Sequence, residues 1–336
     1  MNAHDNPDQP RSVNRGEKCH RELVLPLAAA GLRLDQALAQ ACPEWSRSQL
    51  TGWIRSGAVR VGGVPAKPRD RVAGGEQVVI EAEFEAQIHA APQRMDLDIR
   101  YRDADLLVVN KPAGLVVHPG AGNPDGTLQN GLLHLDAAQA RLPRAGIVHR
   151  LDKDTSGLMV VAASPRAHKA LVDMLSRHDV LRRYEAVVKG QLIAGDTVDA
   201  PIGRHRGDRL RQAVLDHGGK PAVTHYRVRQ RFAAHTLIEC RLETGRTHQI
   251  RVHMAHVGHG LLGDPLYGGA PVVPRGASEG LRSTIQKFGR QALHAEHLAF
   301  EHPVSGRLLE FDAERPADLQ QLIEALARHS EQSRER

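Results

Sequence analysis

The sequence is poor in aromatic residues: Phe, Trp and Tyr together make up only 3% of its 336 residues. Proteins that bind single-stranded nucleic acid by stacking bases need many such side chains, so broad stacking is excluded as the main mode of binding. The apolar runs are also far shorter than the roughly 20 residues of a membrane-spanning helix. We therefore expect a protein that does not contact a membrane.

Cysteine is scarce as well. The three cysteines, Cys19, Cys42 and Cys240, are far apart and none lies in a C-x-x-C pair, which argues against a disulfide framework and against a zinc ribbon. The polar N-terminal stretch has no apolar core of a signal peptide. Together these features predict a protein of the reducing cytoplasm.

The chain also lacks both common phosphate-binding loops, because no G-x-G-x-x-G follows a predicted strand and no P-loop occurs. We expect no cofactor. The 45 Lys and Arg residues exceed the 39 Asp and Glu residues, for a net charge of +6. This surplus favours a polyanionic partner, although it is too small to identify one.

Hydrophobic periodicity divides the chain into two predicted domains. Residues 23–82 are typical of a small helix–helix–strand domain, with Ser46 as the N-cap of its second helix. A linker that contains Pro92 is predicted at 83–97. The tails, 1–22 and 329–336, show no periodicity and are predicted to be disordered.

Residues 98–328 alternate short β-rich runs with few helical stretches, notably 166–178 and 316–328. Strands outnumber helices and often follow one another directly. The pattern predicts an α+β domain with a mixed, largely antiparallel β-sheet and disfavours a doubly wound nucleotide-binding fold.

The most informative stretch is AGIVHRLDKDTSGLMVVAAS at 145–164. A polar turn between two buried strands displays its side chains on a rigid scaffold, as a catalytic group requires. From the residues alone, a hairpin with solvated charges is an equal alternative, with Asp152 and Asp154 serving only to form the turn.

HRLDKDTSGL resembles the signature of the RluA-type pseudouridine synthases. The resemblance continues in order through NKPAGLVVHPG, RRYEAVVKG, GKPAVTHYRV, LETGRTHQIRVHMAHVGHGLLGDPLYGG and RQALHAEHLAFEHPVSG, and spans nearly all of 98–312. It implies an enzyme that isomerises uridine to pseudouridine without a metal. Within the family the D-type enzymes are most similar, which implies uridines of helix 69 in 23S rRNA. The C-type enzymes, which act on other 23S rRNA uridines, are the alternative.

The resemblance also implies the roles of individual residues. The aspartate of the H-R-L-D motif, Asp152, is the catalytic carboxylate, and Arg251 is its expected ion-pair partner, with Arg246 as the alternative. Tyr184 is expected to stack on the uracil and to assist proton transfer at C5, unless it is only a core residue of a strand. The remaining substrate contacts implied are Ile250, His248 and Arg150, of which Arg150 enters the RNA helix where the target base leaves.

Binding of RNA needs basic surfaces, because a stacked uridine cannot be reached until it is splayed out of its helix. The loop RHRGDRLR offers Arg204, Arg206, Arg209 and Arg211 to phosphates, unless it is merely solvated. Residues 33–80 resemble the S4 RNA-binding domain, with VGG where V-N-G is usual. The basic residues expected on its binding face are Arg33, Arg47, Arg55, Arg60 and Lys67. The expected partner is 23S rRNA or the pre-50S or 50S subunit, bound by a monomer.

Two further hypotheses come from other classes of protein. The spacing of His248, His253, His256 and His259 would suit a metal-dependent hydrolase, but no carboxylate or cysteine nearby completes a ligand set, and we expect no metal. Alternatively, the chain could be a non-catalytic RNA-binding assembly factor. Against this, Asp152, Tyr184, Ile250 and Arg251 are all intact.

Overall fold

The computed structural model describes residues 18–42, 45, 47–83, 90–120, 122–208 and 210–334. The contacts within the chain divide it into two compact units, Met1–His89 and Ala90–Arg336. In the described parts, no helix is both long and apolar enough to cross a membrane.

The first unit packs two helices against a small antiparallel sheet. Its elements are β1 Lys18–Val24, α1 Leu34–Ala41, α2 Arg47–Arg55, β2 Val59–Val61, β3 Val64–Pro65 and β4 Gln77–Glu83. The strand order is β1-β4-β2-β3. Leu38, Leu50 and Ile80 are fully buried in its core, so the apolar faces of both helices and of the central strand meet, as the sequence pattern predicts.

The predicted disordered tail at 1–22 is wrong where the structure describes it, because β1 pairs with β4 in continuous register from Lys18 opposite Glu83 to Val24 opposite Gln77. The strand is mostly exposed. Backbone hydrogen bonds rather than burial hold it, so it leaves no hydrophobic alternation in the sequence. Residues 1–17 and the predicted N-cap Ser46 lie outside the described residues.

The second unit is built on a long mixed sheet, and its elements fall in the following order. They are β5 Asp98–Arg102, β6 Leu106–Lys111, α3 Leu128–Leu135, β7 Ser156–Ala162, α4 Pro165–Arg177, β8 Leu181–Lys189, β9 Asp196–Asp199, β10 Ile202–Arg204, β11 Gln212–Val214, β12 Val223–Arg231, β13 His235–Leu242, α5 Gln249–His256, α6 Glu279–Lys287, β14 Leu293–Glu301, β15 Leu308–Asp312 and α7 Ala317–Arg334. Three 3-10 turns, Leu27–Ala29 in the first unit and Ala137–Arg141 and Pro143–Gly146 in the second, complete the list.

The large sheet has the strand order β5-β6-β7-β14-β8-β13-β12-β9, with β15 also paired to β14. Its pairs are antiparallel except for the parallel pair of β7 and β14. The predicted α+β fold with a mixed, largely antiparallel sheet is therefore confirmed.

The middle of this sheet is covered on both faces. On β6, Leu107 and Val109 belong to one buried cluster, whereas Leu106 and Val108 belong to another. Alternate side chains of a strand point to opposite faces, so a strand buried on both reads as a continuous apolar run. This explains why residues 105–112, DLLVVNKP, belong to the β-rich runs that the sequence predicts as strands.

Two predicted boundaries of the second unit need correction. Helix α7 continues to Arg334, and within it His329 and Ser330 are buried, so the predicted disordered tail is wrong for 329–334. The Ser330 hydroxyl accepts a hydrogen bond from the Ala233 backbone N–H at 2.8 Å. A polar side chain that accepts a hydrogen bond from a turn adds nothing to the hydrophobic periodicity of the sequence. The pattern therefore predicted that the helix ends before residue 329.

The predicted linker 83–97 is partly folded. Glu83 ends β4, and residues 84–89 lie outside the described residues. Beyond them, Gln93 N–H donates to the Asn130 carbonyl at 3.0 Å, and the Asn130 side-chain amide donates to the Ala91 carbonyl at 2.8 Å. The end of the predicted linker is therefore attached to the second unit by hydrogen bonds.

Gly157 lies where β7 meets β14 and allows the two strands to approach. Its φ is +117°, and an added Cβ would lie 2.2 Å from the Ala295 carbonyl oxygen. No side chain fits at such a distance, and β-carbon-bearing residues avoid this backbone region.

Gly157→Ala should therefore destabilise the protein by about 1–3 kcal/mol more than Gly114→Ala does. Gly114 is the matched control because it has a φ of +88° but no atom within 4 Å of an added Cβ. Urea unfolding of both variants measures the difference. Equal losses would mean that backbone strain alone matters and that the contact with β14 does not.

Candidate active site

The turn that carries the H-R-L-D motif is held at both ends. Ile147 forms a bridge with Val161 of β7. The Nε2 atom of His149 accepts a hydrogen bond from the Val160 backbone N–H at 3.0 Å. Burial, assisted by the charge of Arg182, lowers the pKa of His149 to about 3, so the ring stays neutral and can accept this bond.

Lys111, at the end of β6, fixes the other side of the turn. It is fully buried, and its ammonium donates to the carbonyls of Pro112, Leu115 and Lys153 at 2.8, 2.9 and 2.9 Å. Lys153 directly follows Asp152. Through its hydrogen bond to the Lys153 carbonyl, Lys111 therefore connects the Asp152 turn to the loop that follows β6. Sequence reasoning gave Lys111 no role, although it lies in the matched block NKPAGLVVHPG.

Asp152 projects from this turn into a cavity of about 500 Å³, which Tyr184, Ile250 and Arg251 also line. Its carboxylate Oδ2 accepts a hydrogen bond from Arg251 Nη1 at 2.9 Å, and 15% of its side chain is exposed. The structure thus forms the predicted Asp152–Arg251 ion pair. A charge-assisted hydrogen bond of this kind fixes the position of the carboxylate in the cavity.

Arg251 is itself held by a second carboxylate. Its Nε and Nη2 donate to Asp264 Oδ2 and Oδ1 at 2.7 and 2.9 Å. Burial would raise the pKa of Asp264, but hydrogen bonds and charge from Arg251 outweigh it, with backbone N–H donors helping, and the pKa falls below its ordinary value. The same carboxylates raise the pKa of Arg251 despite burial. This bidentate pair leaves Nη1 directed at Asp152.

Helix α5, which carries Ile250 and Arg251, was not predicted as a helix. Residues 249–254 are all buried, so the segment has no polar face and no amphipathic period. His248 precedes it with a left-handed φ of 58°. Gln249 Oε1 accepts hydrogen bonds from the Arg246 backbone N–H and the Thr244 hydroxyl at 2.9 and 2.7 Å, which fixes the loop before the helix.

His248 lies between Asp152 and Tyr267. Tyr267 OH accepts from the Gln212 backbone N–H and is 2.7 Å from His248 Nδ1, so its proton is free to be donated to that nitrogen. Burial lowers the pKa of His248, against the opposing charge of Asp152. The neutral ring then carries its proton on Nε2, which lies 3.9 Å from Asp152 Oδ1.

Tyr184 and Ile250 form the apolar side of the cavity and are only 5% and 4% exposed. Tyr184 lies on β8, opposite Cys240 of β13. Burial raises the pKa of the Tyr184 phenol, partly offset by the charge of Arg182. The phenol therefore keeps its proton at neutral pH.

The alternative partner Arg246 does not pair with Asp152. Its Nε donates to the Pro221 carbonyl at 3.0 Å, although the residue lines the cavity. Arg150 lines the cavity as well and is exposed. Both arginines are thus placed beside the cavity without a carboxylate partner among the described residues.

The predicted basic loop is the turn of a hairpin, in which β10 pairs with β11. Arg204 and Arg206 are exposed. Arg211 instead lies over the Tyr267 ring, with its Cζ 5.3 Å from the ring centroid. Arg209 lies outside the described residues. The hairpin therefore offers two exposed arginines and one that packs beside the site.

In the first unit, Arg33 and Arg47 converge on Asp35. Arg33 Nε and Arg47 Nη2 donate to its carboxylate at 2.9 and 2.7 Å. Burial of Asp35 is outweighed by these hydrogen bonds, and its pKa is lowered. The other predicted RNA contacts, Arg55, Arg60 and Lys67, are exposed.

Among the histidines considered as metal ligands, His253 and His259 have separate hydrogen-bonding partners. His253 bonds the Thr224 hydroxyl and the Ala200 carbonyl, both at 2.9 Å, and His259 Nδ1 bonds the Lys189 carbonyl at 2.8 Å. Throughout the described residues, no group of three or more His, Cys, Asp or Glu side chains is placed to hold a metal ion. The described residues therefore offer no set of ligands that would support the metal-site hypothesis.

Comparison with known proteins identifies the class that this fold and site define. Residues 105–256 match the RNA pseudouridylate synthase family, and residues 32–78 match the S4 domain. The chain belongs to the RNA pseudouridylate synthase family and is a pseudouridine synthase with an S4 domain.

Two relatives and one solved structure show which members of the family this chain is similar to. "Ribosomal large subunit pseudouridine synthase D" of Xanthomonas campestris pv. campestris is 57% identical over 315 residues, which are 94% of this chain and 95% of the relative. The protein of the same name from Escherichia coli K12 is 56% identical and covers 88% of this chain and 91% of its own. Among solved structures, "Human RNA Pseudouridylate Synthase Domain Containing 4" is 26% identical, with a TM-score of 0.52, over 69% of this chain and 92% of its own.

Asp264→Asn should destabilise the protein by about 3 kcal/mol at pH 7, because it leaves the buried Arg251 guanidinium without its bidentate partner. The native pKa of Asp264 lies below the ordinary 3.8, so its contribution is complete above pH 3.8 and is lost as the pH falls through the native pKa. The difference between wild type and variant should hold from pH 7 to pH 5 and shrink below about pH 4.

Urea unfolding across this pH range measures the effect. Asp98→Asn is the control, because Asp98 pairs with Arg100 at the surface with 47% of its side chain exposed, and it should change stability little. A difference that grew on acidification would contradict the assignment of Asp264 as an ionised partner.

Proposed function

We propose that this protein isomerises uridines of 23S rRNA to pseudouridine in the helix 69 stem-loop, with Asp152 as the catalytic carboxylate. The observation that carries the proposal is the Asp152–Arg251 pair, which holds a carboxylate in a cavity lined by Tyr184 and Ile250. Relatives named for large-subunit pseudouridine synthase D support the choice of rRNA. The helix 69 site rests on the resemblance to D-type enzymes.

The proposed chemistry needs a carboxylate at the sugar. The C1′–N1 bond breaks, the uracil rotates, C5 bonds to C1′, and the C5 proton moves to nitrogen, so the product is an isomer of the substrate. Asp152 can act as a nucleophile at C1′ or as a base that removes a ribose proton while the uracil leaves as an anion. Both routes need a carboxylate in a fixed orientation, which the hydrogen bond from Arg251 provides.

Tyr184 and Ile250 would hold the uracil between them. An aromatic ring and an aliphatic side chain suit the two faces of a planar base. Because the raised pKa keeps the Tyr184 phenol protonated, we assign it to stacking and hydrogen-bond donation. A phenol that gives its proton to the ring nitrogen can take the C5 proton in return, so we also assign Tyr184 to assisting that transfer.

Access to the cavity requires that the uridine leave its helix. We assign Arg150, exposed beside the cavity, to the space that the base vacates. Arg204 and Arg206 would grip phosphates, and the S4 domain would provide further contacts to 23S rRNA or to a pre-50S or 50S particle. We further propose that the protein acts as a cytoplasmic monomer.

Asp152→Asn should lower turnover by at least about a thousandfold, while RNA affinity stays within a few-fold, because phosphate contacts set affinity. The assay incubates the protein with undermodified large-subunit rRNA and maps pseudouridine by carbodiimide primer extension. New stops confined to helix 69 are expected for the wild type. Stops elsewhere in 23S rRNA would favour C-type specificity.

Asp154→Asn is the matched control, since it removes the same charge from the same turn without touching the Arg251 pair. It should keep most of its activity. Absence of modification by the wild type, on both naked rRNA and assembled subunits, would instead favour the non-catalytic assembly factor.

Replacing both Arg204 and Arg206 with Gln should weaken RNA binding mainly at low salt. If each arginine neutralises one phosphate, the slope of log K against log salt becomes shallower by roughly 2. Filter binding at several salt concentrations measures the slope. A double variant of Arg166 and Lys169, exposed on α4, removes equal charge elsewhere and should leave the slope unchanged. The same slope in both variants would reject the hairpin as a phosphate contact.

A further inference from the structure

Arg182 is a buried arginine that lacks a proper partner. It lies on β8, lines the cavity that holds Asp152, and is only 7% exposed. Its Nε is buried without a hydrogen-bond acceptor, and its Nη2 makes one long contact of 3.5 Å with the Glu243 carbonyl. Among the described residues, no carboxylate lies within ion-pairing distance of it.

The two other described arginines of this unit that are at least nine-tenths buried are well paired, whereas Arg183 and Arg211, whose Nε atoms also lack an acceptor, are only half-buried and do not line the cavity. Arg251 has two carboxylates, and Arg290 makes two hydrogen bonds to Asp318 at 2.6 and 2.9 Å. A buried guanidinium without an acceptor costs several kcal/mol, so such groups are nearly always paired or reserved for a ligand. Arg182 therefore has the donors, the charge and the position to receive an anion in the cavity.

Gly245 makes room for this guanidinium. A Cβ added at residue 245 would lie 2.9 Å from Arg182 Nη1, so the arginine packs directly against the backbone of the loop before α5. Any larger residue would displace it. The loop is the beginning of the GRTHQIR block that also supplies Arg251, which connects the position of Arg182 to the rest of the site.

The spacing of the cavity residues identifies the anion. Arg182 and Tyr184 are two residues apart on one strand, so they share a face and lie about 7 Å apart. That spacing is comparable to the separation of a nucleobase from its own phosphate group. If the uracil lies at Tyr184 and the ribose at Asp152, as proposed above, a backbone phosphate of the same nucleotide would fall near Arg182.

We propose that Arg182 binds a non-bridging oxygen of a phosphate that flanks the target uridine. This inference rests on the function proposed above. The planar guanidinium matches a phosphate better than it matches a single uracil carbonyl, because two parallel N–H donors can meet two oxygens. The contact would fix the nucleotide along β8 so that C1′ stays opposite Asp152.

The test pairs a protein variant with a substrate change. Arg182→Gln should lower kcat/KM about 100-fold on a synthetic helix 69 stem-loop, as expected when a reacting group is misplaced. One neutral methylphosphonate, 5′ or 3′ of the target uridine, should cost the wild type a similar factor. The same methylphosphonate should cost Arg182→Gln less than about threefold, because the contact is already gone.

Arg183→Gln is the control variant. Arg183 is the next residue on β8, its side chain does not line the cavity, and its Nε is likewise buried without an acceptor. The methylphosphonate should lower the kcat/KM of Arg183→Gln by the same factor as it lowers that of the wild type. Circular dichroism and thermal unfolding of both variants, with Arg182→Lys as a partial rescue, separate a binding defect from a folding defect.

If both methylphosphonates cost Arg182→Gln as much as they cost the wild type, Arg182 does not bind phosphate and the proposal fails. A readout without catalysis keeps this outcome distinct from failure of the proposed function. Uridine 5′- and 3′-monophosphate should each be titrated against uridine by NMR. The wild type should prefer one nucleotide over uridine, and Arg182→Gln should lose that preference; equal preferences in both proteins would also overturn the proposal.

Discussion

The geometry of the site depends on one guanidinium shared by two carboxylates. Arg251 is anchored by Asp264 through two hydrogen bonds and presents its remaining nitrogen to Asp152. A single arginine between two anions is less costly to bury than an arginine with one, because each of its polar edges has an acceptor. The arrangement converts a flexible side chain into a fixed cation. Asp152 is thus held in place by a charge-assisted hydrogen bond from this cation.

The surroundings of this pair are rigid for reasons that can be traced to the chain. The Asp152 turn is tied to β6 by Lys111 and to β7 by His149. The Arg251 helix is fixed by Gln249 and by its own burial. Two elements far apart in sequence therefore meet with little freedom, as positioning of a substrate within a fraction of an ångström requires.

Much of the fold could be predicted from sequence, because burial leaves a periodic signal. The continuous apolar run of DLLVVNKP predicts a strand and the periodicity of 166–178 predicts a helix. The structure forms β6 and α4 at these positions. Strand β1 and the end of α7 were missed, since hydrogen bonds rather than an apolar stripe hold them. The pair of Asp152 and Arg251 followed from family resemblance. The roles of three further residues did not follow from sequence, namely those of Asp264, Lys111 and Arg182. These roles depend on which hydrogen-bond donors find an acceptor in the folded protein, and the sequence does not show that.

Every residue that lines the cavity around Asp152 comes from the second unit, between His118 and Leu293. The S4 domain lies in the first unit, at 32–78. The residues of this cavity and the S4 domain are thus encoded in separate stretches of chain. Under the function proposed above, substitutions in the S4 domain would change none of the residues that line the cavity, so this RNA-binding module and the cavity can accumulate substitutions independently.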